Sequence, residues 1–210
     1  MACPCLFCFD GKPPPPNVAQ SNPKYAAMLR YKDNQTPFAI SMMDAPAKEP
    51  LACVATSCTI CCGLPAIYYR KTVLEQYGRG VEDFVCCQGY FPGFCGIEPA
   101  TFCPGSMLGL VLEGCCCPTI SLSITRIFLM DVRQLHPDPV DYQLIGFSNA
   151  CQVLSCVCDI LACFMEDLRQ LADLIDCIAD LITCSVMGCM GAQIECELKG
   201  AAPMAVQMDR

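Results

Sequence analysis

Three adjacent cysteines, Cys115, Cys116 and Cys117, stand directly before Pro118 inside a long apolar run. Thiols that close suit two chemistries. As thioesters they carry acyl chains, which hold a protein stably at a membrane when two or more act together. As thiolates they hold soft metal ions. Cys3, Cys5 and Cys8, set among Leu6, Phe7 and Phe9, are a second candidate group for acylation. Position 2 is Ala2, where N-myristoylation requires glycine, so palmitate on the cysteines is the lipid left open. The candidates for metal are Cys58, Cys61, Cys62, Cys86 and Cys87. Cys58-x-x-Cys61 has the spacing of half a zinc knuckle, but no second pair follows at a knuckle distance. His136 is the single histidine and sits beside Pro137, where it reads as a turn residue, so a metal site for zinc or another soft ion would be almost all thiolate. No Gly-rich phosphate loop, no Gly-x-Ser-x-Gly and no further Cys-His pair is present. The expected protein is not an enzyme and needs no cofactor beyond covalent palmitate.

Composition says where such thiols would sit. Apolar residues make up 54% of the chain and charged ones 16%, against about 45–50% and 25% for soluble domains. That surplus of apolar surface faces lipid, a partner chain, or both. Twenty-two cysteines in 210 residues also fit a secreted disulfide scaffold. The N-terminus, however, has no basic region, no long apolar core and no small-residue cleavage pattern of an export signal. A reduced protein on the cytosolic face of a membrane is expected, with the secreted disulfide protein as an alternative.

Charge is divided along the chain. Residues 1–79 hold eight basic against five acidic side chains, a net +3, while residues 80–210 hold five against sixteen, a net −11. Nucleic acid is excluded as a partner because phosphate binding needs a basic face. Anionic headgroups would repel the acidic half. Attachment must therefore come from apolar burial or acyl chains.

The elements that position these groups are expected to be mainly α-helical: short kinked helices or hairpins in or on a membrane, an amphipathic C-terminal helix, and an extended N-terminal arm. Residues 1–50 read as that arm, tipped by cysteines and stiffened by Pro13 to Pro16, a polyproline II spacer of about 12 Å. Residues 51–200 read as the cysteine-rich helical domain and 201–210 as a tail, with polar character setting in beyond Gly191. Residues 51–69 carry no charge, long enough as one helix to cross a bilayer. Gly63 and Pro65 argue instead for a re-entrant or in-plane hairpin ending at Tyr68, Tyr69, Arg70 and Lys71, with basic residues on both sides giving no preferred orientation. Residues 74–103, rich in glycine and aromatics, read as loops and turns. Pro118 divides the next apolar run into two helical pieces around Glu113 and Arg126, and residues 143–165 form a third apolar segment interrupted only by Asp159. Glu113 and Asp159 are the candidate intramembrane charges, although Asp159 means little on a helix lying along a surface.

From Glu166 to Thr183 the pattern is helical over four turns, with polar residues at 166, 169, 173, 176 and 180 and leucines and isoleucines opposite. The polar face is acidic, unlike the basic face of lipid-surface helices, so this helix is expected to pack on another helix. Asp173, Asp176 and Asp180 also complement Lys12, Lys24, Arg30, Lys32 and Lys48 on the arm. An arm reaching over a neighbour's acidic face would build a homo-oligomer, ring or filament.

Four groups of residues fall in a recurring order: Cys115-Cys116-Cys117-Pro118; then Arg126, Arg133, Leu135, Pro139 and Asp141; then Cys151, Cys156 and Cys158; then Gln193, Glu197 and Leu198. This order resembles the placenta-specific-eight family of small cysteine-rich proteins. Thr119 stands where that family has a cysteine, and the stretch between Cys163 and Gln193 is longer. The resemblance implies membrane-associated, self-assembling proteins linked to metal tolerance, calcium entry or growth control, and no catalytic residues. The leading expectation is an acylated structural or scaffold protein whose partners are lipid and its own copies. The alternative is a metal-handling or cation-conducting membrane protein.

Overall fold

Proline decides where most of the helices begin. The structure is a computed structural model that describes residues 30–31, 33–90 and 98–200. Seven α-helices lie among them: α1 (Ala45–Lys48), α2 (Pro50–Thr59), α3 (Leu64–Tyr77), α4 (Met107–Cys116), α5 (Pro118–Arg133), α6 (Pro139–Ala162) and α7 (Arg169–Gly200). Helices α1, α2, α3, α5 and α6 carry proline in the first turn, where the missing N–H is no loss and the ring presets φ. Thus Pro65 and Pro118, read above as interruptions, start the next helix. The two-residue strands β1 (Thr36–Pro37) and β2 (Leu135–His136) pair in parallel. The mainly α class expected from the sequence holds.

Both expected bends are present. After α2, a 3₁₀ turn (Ile60–Cys62) leads to Gly63 at φ 75°, and α3 departs at 112°. At Cys117–Pro118, α4 turns into α5 through 118°. The two elbows press on each other: a Cβ on Gly63 would lie 2.3 Å from the carbonyl oxygen of Gly114. Gly63 therefore answers two demands at once, a left-handed φ and contact with bare backbone. Residues 78–106 follow as turns and 3₁₀ segments in their described part; of the stretch 74–103 read as loops and turns, residues 74–77 instead complete α3.

The core forms where helical stripes meet. On α3 the buried set includes Ala66, Tyr69, Arg70, Val73 and Leu74, and on α5 Leu122, Thr125, Arg126, Leu129 and Met130. Both sets follow the i, i+3, i+4, i+7, i+8 spacing of one helix face. They close on Met190 and Ile194 of α7, with Phe38, Met42 and Leu135. Helix α7 crosses α2 at short range, because a Cβ on Gly188 would meet the Cys53 carbonyl oxygen at 2.7 Å and one on Gly191 would meet the Thr56 side chain.

Three expectations change. Arg70, read as part of an interfacial hairpin end, is wholly buried, because it shares the phase of Ala66 and Val73. The polar tail expected beyond Gly191 is instead helix to Gly200, with Ala192, Gln193, Ile194 and Glu197 buried. Residues 38–45, assigned to the arm, belong to the body: Phe38, Ile40, Met42 and Ala45 are all buried. Cys3, Cys5, Cys8, Pro13 to Pro16, Lys12, Lys24, Lys32 and the tail 201–210 lie outside the described residues.

Candidate functional site

Two places in the molecule gather chemistry, and a buried polar network holds the helices that carry them. Arg126 on α5 donates through Nη2 to Asp141 on α6 at 2.7 Å and through Nε to Gln193 on α7 at 3.0 Å. Gln193 in turn donates to Asp141 at 2.9 Å and to the Ile40 carbonyl at 3.0 Å, while the Met42 N–H donates to Asp141 at 3.0 Å. The guanidinium also lies over the Phe38 ring, 4.6 Å from its centroid. Two turns on along α5 and one along α7, Arg133 pairs with Glu197, which accepts from the Ala39 N–H. Asp141 is fully buried, and breaking such a pair costs about 3–5 kcal/mol. Arg126, Arg133, Asp141, Gln193 and Glu197, scattered along the sequence pattern, thus meet in one place, where they strap residues 38–42 to α5, α6 and α7.

The first chemical site is a cavity of about 380 Å³ between α4 and the turns before it. Cys86, Cys87, Cys103, Cys116, Cys117 and Glu113 line it, with Phe102, Leu112 and Ile120 among its apolar walls. Cys87 and Gln88 both take positive φ, 54° and 47°. That turn brings the Cys86 and Cys87 sulfurs to 4.0 Å. Glu113 secures it, its Oε2 accepting from the Cys87 N–H at 2.7 Å. Its other oxygen faces Arg70 Nη2 at 3.5 Å. Arg70 and Glu113 are 0% and 3% exposed at the side chain. Nε and Nη1 of Arg70 have no hydrogen-bond partner. Burial lowers the pKa of Arg70, and Glu113, Cys87 and Cys86 oppose that shift. Burial, with Cys86 and Glu113 alongside, pushes the Cys87 thiol up to about 12.

The second site is the distal hairpin of α6 and α7. Its seam is polar: Ser148 Oγ lies 3.0 Å from Thr183 Oγ1, and Gln152 donates to Thr183 at 2.9 Å and to Asp180 at 3.3 Å. Ser155 donates to Asp176, and Asp159 faces Asp176 and Asp173. Small and polar residues recur every seven positions in the seam, as Asp141, Ser148 and Ser155 on α6 and as Ala172 and Ala179 on α7. They let the helices approach closely along a 3.5-residue repeat. The outside is apolar. Leu154, Val157, Leu161 and Phe164 form one exposed stripe, and Leu171, Leu174, Ile178 and Leu181 another. Polar in and apolar out inverts the pattern of a helix pair in water. Two helical stretches, Pro139–Ala162 and Glu166–Gly200, are long and apolar enough to cross a membrane, and each bent pair passes the same test when taken together.

The remaining expected residues fall as follows. Glu113 joins Cys86 and Cys87, whereas Cys58, Cys61 and Cys62 are exposed around the α2–α3 elbow, outside that cavity. Cys115, Cys116 and Cys117 are all exposed at the α4–α5 elbow. Glu113, expected as an intramembrane charge, is enclosed by protein, and Asp159 is exposed on α6. Part of the acidic face of α7 meets a helix, its own neighbour α6: Asp176 accepts from Ser155 and Asp180 from Gln152, while Asp173 and Asp180 stay exposed. Arg30 bonds Asp131 at 2.7 Å, and Lys48 lies 3.7 Å from Asp44. Sequence reasoning missed Arg70 as a site residue; its phase within the buried stripe of α3 was the available signal. Comparison with protein-family models, curated proteins and solved structures returned no match to this chain.

Proposed function

We propose that this is a non-enzymatic, membrane-associated structural protein that self-assembles, and that the α6–α7 hairpin is its lipid-contacting element. The inverted polarity of that hairpin carries the reading. Exposed leucine and isoleucine stripes on both helices gain about 1.5–3 kcal/mol for each side chain fully removed from water, while the hydroxyl, amide and carboxylate groups of the seam satisfy one another. The hairpin lies along the face of one leaflet. Its tip carries Glu166, Asp167 and Arg169, all exposed, and Asp159 and Asp173 are exposed beside the seam; these groups belong in water, and a hairpin end buried at mid-bilayer would strand them. Palmitate on the exposed Cys115, Cys116 and Cys117 strengthens the attachment; the resemblance to the placenta-specific-eight family implies membrane association.

The chain contains no tryptophan, so Leu154→Trp and Phe164→Trp are each single-tryptophan reporters. In vesicles of brominated phospholipid, both are expected to be quenched at the same shallow depth. Ten residues separate them, about 15 Å along a helix axis, so a hairpin standing upright would place them at clearly different depths. Absence of quenching at both positions would overturn the membrane reading itself. Thioester-selective mass tagging of protein from native membranes tests the acylation, which an untagged protein would remove.

A further inference from the structure

We propose that Cys86, Cys87 and Glu113 form a binding site for a soft divalent cation of the zinc and cadmium type. The site is independent of the hairpin and of membrane attachment. One thiolate sulfur from each cysteine and one carboxylate oxygen would be the protein ligands. The ligand atoms already lie within 4.8 Å of one another, and the two sulfurs are 4.0 Å apart. Tetrahedral zinc with Zn–S bonds of about 2.3 Å needs an S···S edge of about 3.8 Å. The required adjustment is small. Neighbouring residues in extended chain point their side chains to opposite sides. Here the positive φ of Cys87 and the Glu113 bond to its N–H hold both sulfurs together instead.

Arg70 supplies the independent observation. Its side chain has no exposure, and two of its three nitrogens have no hydrogen-bond partner. Buried donors left without acceptors are costly. When the metal displaces the two thiol protons, the two thiolates join Glu113, the acceptor bonded to Arg70, as the negative charges of the enclosed site. Two thiolates and Glu113 then carry −3, and Arg70 with a divalent ion carries +3, so the enclosed site is neutral. Thiolate sulfur selects zinc or cadmium over calcium or magnesium. The fourth tetrahedral position opens onto the cavity, whose wall also contains Cys103, Cys116 and Cys117.

The test uses the reduced, full-length protein in detergent, with Zn²⁺ or Cd²⁺ added at one equivalent, and follows the alkylation rate of every cysteine by mass spectrometry. Loss of reactivity at Cys86 and Cys87, with Cys58, Cys61 and Cys62 unchanged, is the expected result. Equal reactivity with and without metal, or protection only at other cysteines, overturns the site. This readout on the unsubstituted chain stands even if Cys86→Ser/Cys87→Ser fails to fold. In a chelator competition, Arg70→Met is expected to weaken the first equivalent by about 10–100-fold, as for other groups that support ligands from behind. An unchanged affinity in Arg70→Met together with Glu113→Gln would equally refute the assignment.

Discussion

Replacing Arg126 by methionine removes one charge from a pair that has almost no access to water. The Arg126 and Asp141 side chains are 5% and 0% exposed. Methionine keeps much of the buried volume, which limits the cavity, but Asp141 loses its 2.7 Å partner and retains only Gln193 and the Met42 N–H. Gln193 also loses the donor to its Oε1, and the Phe38 ring loses the cation above it. An uncompensated buried carboxylate costs about 3–5 kcal/mol. For a domain of this size each kcal/mol moves Tm by roughly 2–4 °C, so the melting temperature should fall by about 6–20 °C. Circular dichroism of the helical signal in lipid nanodiscs measures it. The double variant Arg126→Met/Asp141→Leu removes both charges, and its loss should be smaller than the sum of the two single losses by about 0.5–3 kcal/mol. A single variant melting within about 2 °C of the parent, below the shift expected for one kcal/mol, would refute the claim that this network holds α5, α6 and α7 together. Strict additivity in the cycle would refute the direct coupling.

Other perturbations probe the remaining contacts. Gly188→Ala drives a Cβ into Ser57 Oγ and to 2.7 Å from the Cys53 carbonyl oxygen and should cost about 1–3 kcal/mol in denaturant unfolding, a loss that Ser57→Ala relieves only in part because the carbonyl is backbone. Gly63→Ala combines a left-handed φ with a 2.3 Å approach to Gly114; the left-handed conformation alone costs about 1–2 kcal/mol, so the midpoint should fall further than that. Ser155→Ala leaves Asp176 without its seam donor and should lower stability by about 1.5–3 kcal/mol, the range for bonds to charged groups, with membrane binding retained. Leu161→Gln with Leu174→Gln alters exposed positions only and should reduce flotation with liposomes at least about tenfold, while the far-ultraviolet spectrum stays unchanged.

Local chemistry was legible in the sequence. Gly63–Pro65 and Cys117–Pro118 marked the bends, read as interruptions although each proline sits in the first turn of the next helix, and the period from Glu166 to Thr183 marked α7, because each signal acts within one or two turns of its own residues. Period does not say what a face will meet. The acidic stripe of α7 has the same pattern whether it faces water or the serines and glutamine of α6, and the tertiary structure alone set Asp176 and Asp180 against Ser155 and Gln152, kept Asp173 exposed and left the leucines outside. Nor does it assign partners: Arg70 and Glu113 are 43 residues apart, and Arg126 and Gln193 are 67 apart. Arg70 looked like an interfacial cation because of its neighbours Tyr68, Tyr69 and Lys71, yet its position on the α3 stripe buried it against Glu113. Residue types and spacing determined the helices and their elbows. Only packing decided which polar groups met each other, because burying a charge is favourable only where a distant segment brings the matching group.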